Sequence, residues 1–290
     1  MFRGRAGVGF RPVQYATPTT LAAALELMST SDMVAVAGGT DFYPARVGRT
    51  VNEAMVDLTG LSELRGIDQS GGNIRIGALT TWTEIAAANL PGGVRALQDA
   101  AAEVGGRQVQ NVGTIGGNLC NSSPAADGVP PLLAVGAAVE LASMSGTRTL
   151  PLEGFLLGYR HTALRPDEIL TAVLIPRAGT TGSSAFLKLG SRRYLVVSIV
   201  MVGVRLVVAG DGSIADARAA VGACSPVAQR LGALEQDLVG VEADEAAAVV
   251  HDRHFVTLSP IDDPRAPAVY RLKAARVMVE RALERCVAQA

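Results

Sequence analysis

Two glycine pairs are the residues of this sequence best placed to do chemistry. The first lies in Ala37-Gly38-Gly39-Thr40-Asp41 and the second in Gly113-Thr114-Ile115-Gly116-Gly117-Asn118. Glycine has no Cβ and tolerates positive φ, so paired glycines can turn several backbone N–H groups into one concavity. An anion such as a pyrophosphate can then approach the main chain closely. The second segment adds a hydroxyl before its glycine pair and an amide after it. Neither segment has the G-x-G-x-x-G spacing of a nicotinamide dinucleotide fold or the G-x-x-x-x-G-K of a nucleotide triphosphatase. Either pair alone reads more readily as an ordinary strand-to-helix turn. Two such segments about 75 residues apart suggest a long ligand held between two lobes, and a dinucleotide has that length.

Other reactive side chains are sparse. The three cysteines, Cys120, Cys224 and Cys286, are scattered and make neither a disulfide framework nor a four-thiolate cluster. They fit a reducing compartment. His251 and His254 have metal-ligand spacing, but they read as exposed loop histidines. There is no triad, no carboxylate pair of defined spacing and no metal-ligand set, so no residue is assigned a catalytic role.

Composition narrows the class. The 290 residues are 49% hydrophobic and 18% charged, with a net charge of −1, which argues for a large core and against disorder or a nucleic-acid partner. Aromatics are only 4%, so the core must be built from Ala, Val, Leu and Ile. The basic start at 1–12 lacks the apolar stretch of a signal peptide. Residues 195–208 are apolar but too short for a bilayer and broken by Arg205. A cytoplasmic protein without a membrane span is expected.

The elements that must position the glycine segments follow from periodicity. Thr17-Pro18-Thr19-Thr20 caps a helix over 19–29, and short strands are expected at 33–37, 54–58 and 73–78. Helices are expected at 82–88 and 94–104, the second ended by Gly105-Gly106. A glycine-rich stretch at 113–127 leads into an apolar run at 129–141. A strand at 168–175 stops at Pro176, and residues 178–184 have a linker's composition. Strands at 186–189, 198–208 and 215–221 and a terminal helix over 266–289 complete the chain. Strands and helices do not alternate strictly, which favours an α+β fold.

The segments AGGTD at 37–41 and NVGTIGGNLCNSSPAAD at 111–127 resemble the two FAD-contacting signatures of the medium subunits of molybdenum hydroxylases. These are the xanthine dehydrogenase and carbon monoxide dehydrogenase type, with the PCMH flavin fold of p-cresol methylhydroxylase. RIGALTTWTEI at 75–85, DEILTAVLIP at 167–176 and AFLKLGSRR at 185–193 resemble further family segments, so the likeness runs from Val13 to the terminal helix. It implies a PCMH-type FAD-binding domain at 1–178, with α/β lobes at about 1–58 and 59–178. A smaller C-terminal α+β domain of the carbon monoxide dehydrogenase flavoprotein type follows at 183–290.

The resemblance also implies roles. Peptide groups of Ala35, Val36, Ala37, Gly38, Gly39, Thr40, Asp41 and Phe42 would cradle the FAD pyrophosphate. Thr114, Ile115, Gly116, Gly117 and Asn118 would close on it from the other side. Asp127 would accept a hydrogen bond from the ribityl or adenosine end; its other reading is a helix N-cap. Val104, Leu170 and Lys188 would flank the isoalloxazine, Lys188 reading otherwise as a solvated strand lysine. The implied activity is that of an oxidoreductase subunit with non-covalent FAD, since the first segment offers no His or Cys tether. Substrate would be oxidised at molybdopterin on a large subunit, and electrons would pass through 2Fe–2S clusters on a small subunit to FAD and an acceptor. A dimer of heterotrimers is implied. The sequence departs from the family where an Asp often follows the Lys-x-x-x-Arg pattern; here stand Tyr194, Leu195, Val196, Val197 and Ser198. It also lacks the four-cysteine insert of the benzoyl-CoA reductase branch. The alternative is a self-sufficient PCMH-type flavin oxidase or dehydrogenase, and a flavin-free scaffold is the reading outside enzymes.

Overall fold

The computed structural model describes residues 14–192 and 195–290. The basic start, Val13, Arg193 and Tyr194 lie outside them. The first lobe is a three-stranded parallel sheet in the order β1 (Tyr15–Ala16), β3 (Met55–Asp57), β2 (Val34–Val36). Parallel strands need crossover connections, and helix α1 (Leu21–Thr30) lies in the one from β1 to β2, on either side of β3. Thr20 caps it, its side chain accepting from the Ala23 N–H at 3.3 Å. Ala24 and Leu25 on α1 pack with Val56 and Leu58.

The second lobe is a five-stranded antiparallel sheet. Its order is β4 (Ile67–Asp68), β5 (Ile74–Gly77), β10 (Ile169–Ile175), β6 (Ala138–Ser143), β7 (Gly146–Pro151). Helices α2 (Trp82–Ala87), α3 (Arg95–Glu103), α4 (Arg107–Val112), α5 (Ile115–Asn121) and α6 (Val129–Ala134) surround a core centred on Trp82, Leu97, Leu119 and Val173. A short helix, α7 (Leu152–Phe155), leads to a separate hairpin of β8 (Leu156–Gly158) and β9 (His161–Thr162). The apolar run at 129–141 is two elements. Gly136 adopts φ +67°, a conformation costly for other residues, and ends the helix before β6 starts.

The C-terminal part is a four-stranded antiparallel sheet, β11 (Ser183–Leu189), β12 (Val200–Val208), β13 (Ile214–Gly222) and β14 (Gln229–Arg230). Helices α8 (Gly232–Leu238) and α9 (Ala268–Val287) cover it, burying Leu234, Val279 and Leu283 against Val202 and Val204. The fold is α+β, as expected from the sequence.

Residues 178–184 connect the second lobe to the C-terminal sheet and are held in place: the Ser184 hydroxyl donates to the Gly92 carbonyl at 2.8 Å and accepts from the Ala96 N–H at 2.9 Å. A Cβ on Gly182 would stand 2.0 Å from the Leu206 carbonyl, so the small residues permit close packing. One expectation fails for a physical reason: His254 is not an exposed loop residue. It is buried, its Nε2 is 2.9 Å from Asp237 Oδ2, and its Nδ1 accepts from the His251 N–H. Among the described residues no cluster of His, Cys, Asp and Glu could hold a metal. Burial pushes the thiols of Cys120, Cys224 and Cys286 up to about 12, so they are poor nucleophiles and poor ligands.

Candidate cofactor site

Strand β2 delivers the first glycine segment. Ala35 and Val36 stand on the strand itself, in register with Val56 and Asp57. Beyond Val36 the chain leaves the sheet. The backbone N–H groups of Ala37, Gly38, Gly39, Thr40, Asp41 and Phe42 then donate to no acceptor among the described residues. Of the carbonyls in this run, Gly39 O accepts from Tyr43 N and Asp41 O from Ala45 N, both at 3.1 Å, and Phe42 O accepts from Arg46 Nη1 at 3.0 Å. Successive backbone N–H groups free to point outward have the polarity of an anion site.

The glycines here serve the main chain. A Cβ on Gly38 would lie 1.8 Å from the Val112 carbonyl, so Gly38 lets this loop touch the end of α4. Gly39 takes φ +66° and faces the Tyr43 ring.

The second glycine segment is a helix N-terminus, not an open loop. Thr114 is the N-cap of α5, accepting from Gly117 N at 3.1 Å. The N–H groups of Ile115 and Gly116 are taken by the Thr80 and Ala78 carbonyls at 3.1 and 2.9 Å, and that of Asn118 by the Thr114 carbonyl at 3.0 Å. Residues 115–118 therefore offer no free backbone donor. Gly116 is needed for packing, since its Cβ would meet Ala78 at 2.8 Å. Gly117 differs: a Cβ there meets only Thr114 Oγ1, at 3.0 Å, and otherwise open space. Next to it, the buried Oδ1 of Asn118 has no partner among the described residues. The two segments abut, because the position of a Gly113 Cβ is 3.4 Å from Thr40 Oγ1.

Asp127 and Lys188 meet each other. Lys188 Nζ lies 2.6 Å from Asp127 Oδ2, with the two side chains 5% and 7% exposed. Ser198 donates to Asp127 Oδ1 at 2.7 Å, and Lys188 also donates to the Glu103 carbonyl at 3.2 Å. Burial pushes the Asp127 carboxyl up, and Lys188 and Ser198 act against that rise. Neither bland reading holds: Gly128, not Asp127, caps α6, and Lys188 is not solvated. Val104, next to Glu103, caps α3 and is half-buried. Leu170 lies inside the core of the second lobe. Asn118 connects the two groups of residues, its Oδ1 lying 3.2 Å from where a Gly128 Cβ would stand.

Sequence reasoning missed Ser198 as a partner of Asp127, although it ends the segment noted as departing from the family. It also missed Arg160, whose guanidinium is 3.0 Å from Asp41 Oδ2. Nothing in the stretch LLGYRHT marks it.

The chain matches the family model of the FAD binding domain in molybdopterin dehydrogenase over residues 10–178. It belongs to that family. Residues 185–286 match the CO dehydrogenase flavoprotein C-terminal domain. Over 288 residues the chain is 32% identical to the carbon monoxide dehydrogenase medium chain of Afipia carboxidovorans, covering 95% of this chain and 97% of that one. It is 41% identical to the nicotinate dehydrogenase FAD-subunit of Eubacterium barkeri over 184 residues, 61% of this chain and 62% of that subunit. A chain of reconstituted CO dehydrogenase from Oligotropha carboxidovorans superposes with a TM-score of 0.87 at 28% identity, covering 97% of this chain and 99% of that one. This member of the family is an oxidoreductase subunit with an FAD-binding domain. The free donors at 37–42, the open face of Gly117 and the orphaned Asn118 Oδ1 all fit a large, anionic, hydrogen-bonding ligand.

Proposed function

We propose that this chain holds one FAD non-covalently and serves as the electron-transfer subunit of a molybdenum hydroxylase. The observation that carries the reading is the run of six N–H groups, from Ala37, Gly38, Gly39, Thr40, Asp41 and Phe42, that have no acceptor among the described residues. They would bind the pyrophosphate by hydrogen bonds to its oxygens, which are stronger when the acceptor is charged. Gly117 keeps space open opposite them, and Asn118 Oδ1 would accept from a ligand hydroxyl. Thr114, Ile115 and Gly116 shape that wall through the helix cap and its packing. Lys188, Asp127, Val104 and Leu170 would form the far end, where the charge pair and apolar walls exclude water.

FAD held there would supply the redox chemistry that side chains lack, for electron transfer between the 2Fe–2S clusters of a small subunit and an acceptor. Substrate oxidation falls to a large molybdopterin subunit, and the assembly is a dimer of heterotrimers. Residues 1–178 form the FAD-binding domain, with lobes at about 1–58 and 59–178, and residues 183–290 form the C-terminal domain. We place the protein in the cytoplasm; among the described residues no helix is long and apolar enough to cross a membrane.

Purification from the native source tests this reading. The chain should co-purify with an iron–sulfur and a molybdopterin subunit. Robust substrate oxidation by the isolated chain, free of iron and molybdenum, would favour the self-sufficient flavin enzyme instead.

A further inference from the structure

We propose that Arg160 is a positioning residue for the anion cradle, one that cancels the charge of Asp41 and fixes residues 37–42 against α5. The inference rests on the FAD reading above. The cradle carries a carboxylate of its own. Asp41 lies within the run of free donors, and an uncompensated negative charge there would repel a pyrophosphate. The guanidinium of Arg160 stands 3.0 Å from Asp41 Oδ2.

Several contacts hold it in place. Arg160 Nη1 donates to Asn121 Oδ1 on α5 at 3.0 Å, and the guanidinium carbon lies 5.8 Å from the Tyr159 ring centre. Arg160 itself sits in the turn between β8 and β9 with φ +52°, a conformation unfavourable for a side-chain-bearing residue. Its N–H donates to the Ser122 carbonyl at 3.0 Å, and the Ser122 hydroxyl donates to the Gly158 carbonyl at 2.8 Å. Ser122 too is left-handed, at φ +46°. Strained residues persist where surrounding contacts over-determine them, and they concentrate at ligand sites. The pair is not a stability device: Arg160 and Asp41 are 45% and 47% exposed, and such pairs contribute little to folding. Its position is what matters, because one guanidinium bridges the first glycine segment and the helix formed by the second.

FAD titration of full-length apoprotein tests the inference, with thermal unfolding as a check on the fold. Arg160→Gln should bind FAD about tenfold more weakly, with a deficit that shrinks as salt screens the exposed carboxylate. Arg160→Lys keeps the charge and should recover most of the affinity. Adding Asp41→Asn to Arg160→Gln should also restore it to within about threefold of wild type, because the repulsive charge is gone. A purely structural role for Arg160 would not give that rescue. If wild type binds FAD and Arg160→Gln binds it equally well, the inference fails while the cofactor reading stands. A double variant as weak as the single one overturns it too. If wild type takes up no FAD, both fall.

Discussion

Lys188 Nζ and Asp127 Oδ2 are 2.6 Å apart inside the protein, and Ser198 occupies the other carboxylate oxygen. Two buried charges in this arrangement depend on each other. Removing one strands the other in a poorly solvating interior, at a typical cost of about 3–5 kcal/mol. Lys188→Met should therefore destabilise the chain by about that amount. Lys188→Met combined with Asp127→Asn should recover more than half of the loss. Chemical unfolding of the three proteins checks this. Equal stability of wild type and Lys188→Met would mean the pair is not buried as described.

The same site has a pH signature. The folded state holds the Asp127 proton more tightly than the unfolded chain does, because burial raises its pKa. Such a group favours folding below its unfolded pKa, and that contribution is lost as pH rises through the folded value. Lys188 opposes the rise in the Asp127 pKa, so Lys188→Met raises it further and gains more than wild type from protonation; its deficit should shrink in mild acid. A deficit that grew on acidification would contradict the assignment.

Glycines within the two pairs should respond differently. Gly38→Ala puts a methyl into the Val112 carbonyl, so the loop must move; a loss of about 1–3 kcal/mol is expected, with FAD binding lost as well. Gly117→Val meets little protein on its open face and should stay within about 1 kcal/mol of wild type, while FAD affinity falls at least about tenfold. Calorimetry together with FAD titration separates the two effects. A Gly117→Val protein that keeps stoichiometric FAD would remove that residue from the site.

Asp263 anchors a second charge cluster, beneath α9. The Arg265 guanidinium, with Arg271 behind it, holds its carboxyl well below the usual carboxylate range. Arg271, 1% exposed, also donates to the Ile199 and Ala223 carbonyls at 2.7 and 3.1 Å. A lowered folded pKa gives stability that is present above the unfolded pKa and lost as pH falls through the folded one. Asp263→Asn should destabilise the protein at neutral pH, and the gap to wild type should begin to close below about pH 4. A gap independent of pH would show that Asp263 acts through packing rather than charge.

Periodicity and turn chemistry made the regular elements legible. The strand expected at 168–175 is Ile169–Ile175, the helix at 94–104 is Arg95–Glu103, and the terminal helix at 266–289 is Ala268–Val287. Each carries a strong local pattern with a clear stop. The hairpin of β6 and β7 went unseen because Gly136 hides a break inside an apolar run, and no local pattern separates the two halves. The site was legible at its glycines but not in their division of labour. A sequence shows that Gly116 and Gly117 are adjacent, but not that Ala78 presses on the first and open space faces the second. Likewise, the pairing of Lys188 with Asp127, 61 residues apart, is a product of tertiary structure.

The central claim is that this chain binds FAD, without a covalent bond, in the cleft bounded by residues 37–42 and α5. Acid precipitation of the purified, flavin-saturated chain, with flavin measured in supernatant and pellet, tests it most directly. One FAD should be released per chain, leaving a colourless pellet. Flavin retained in the pellet, or a chain that never takes up FAD, would contradict it.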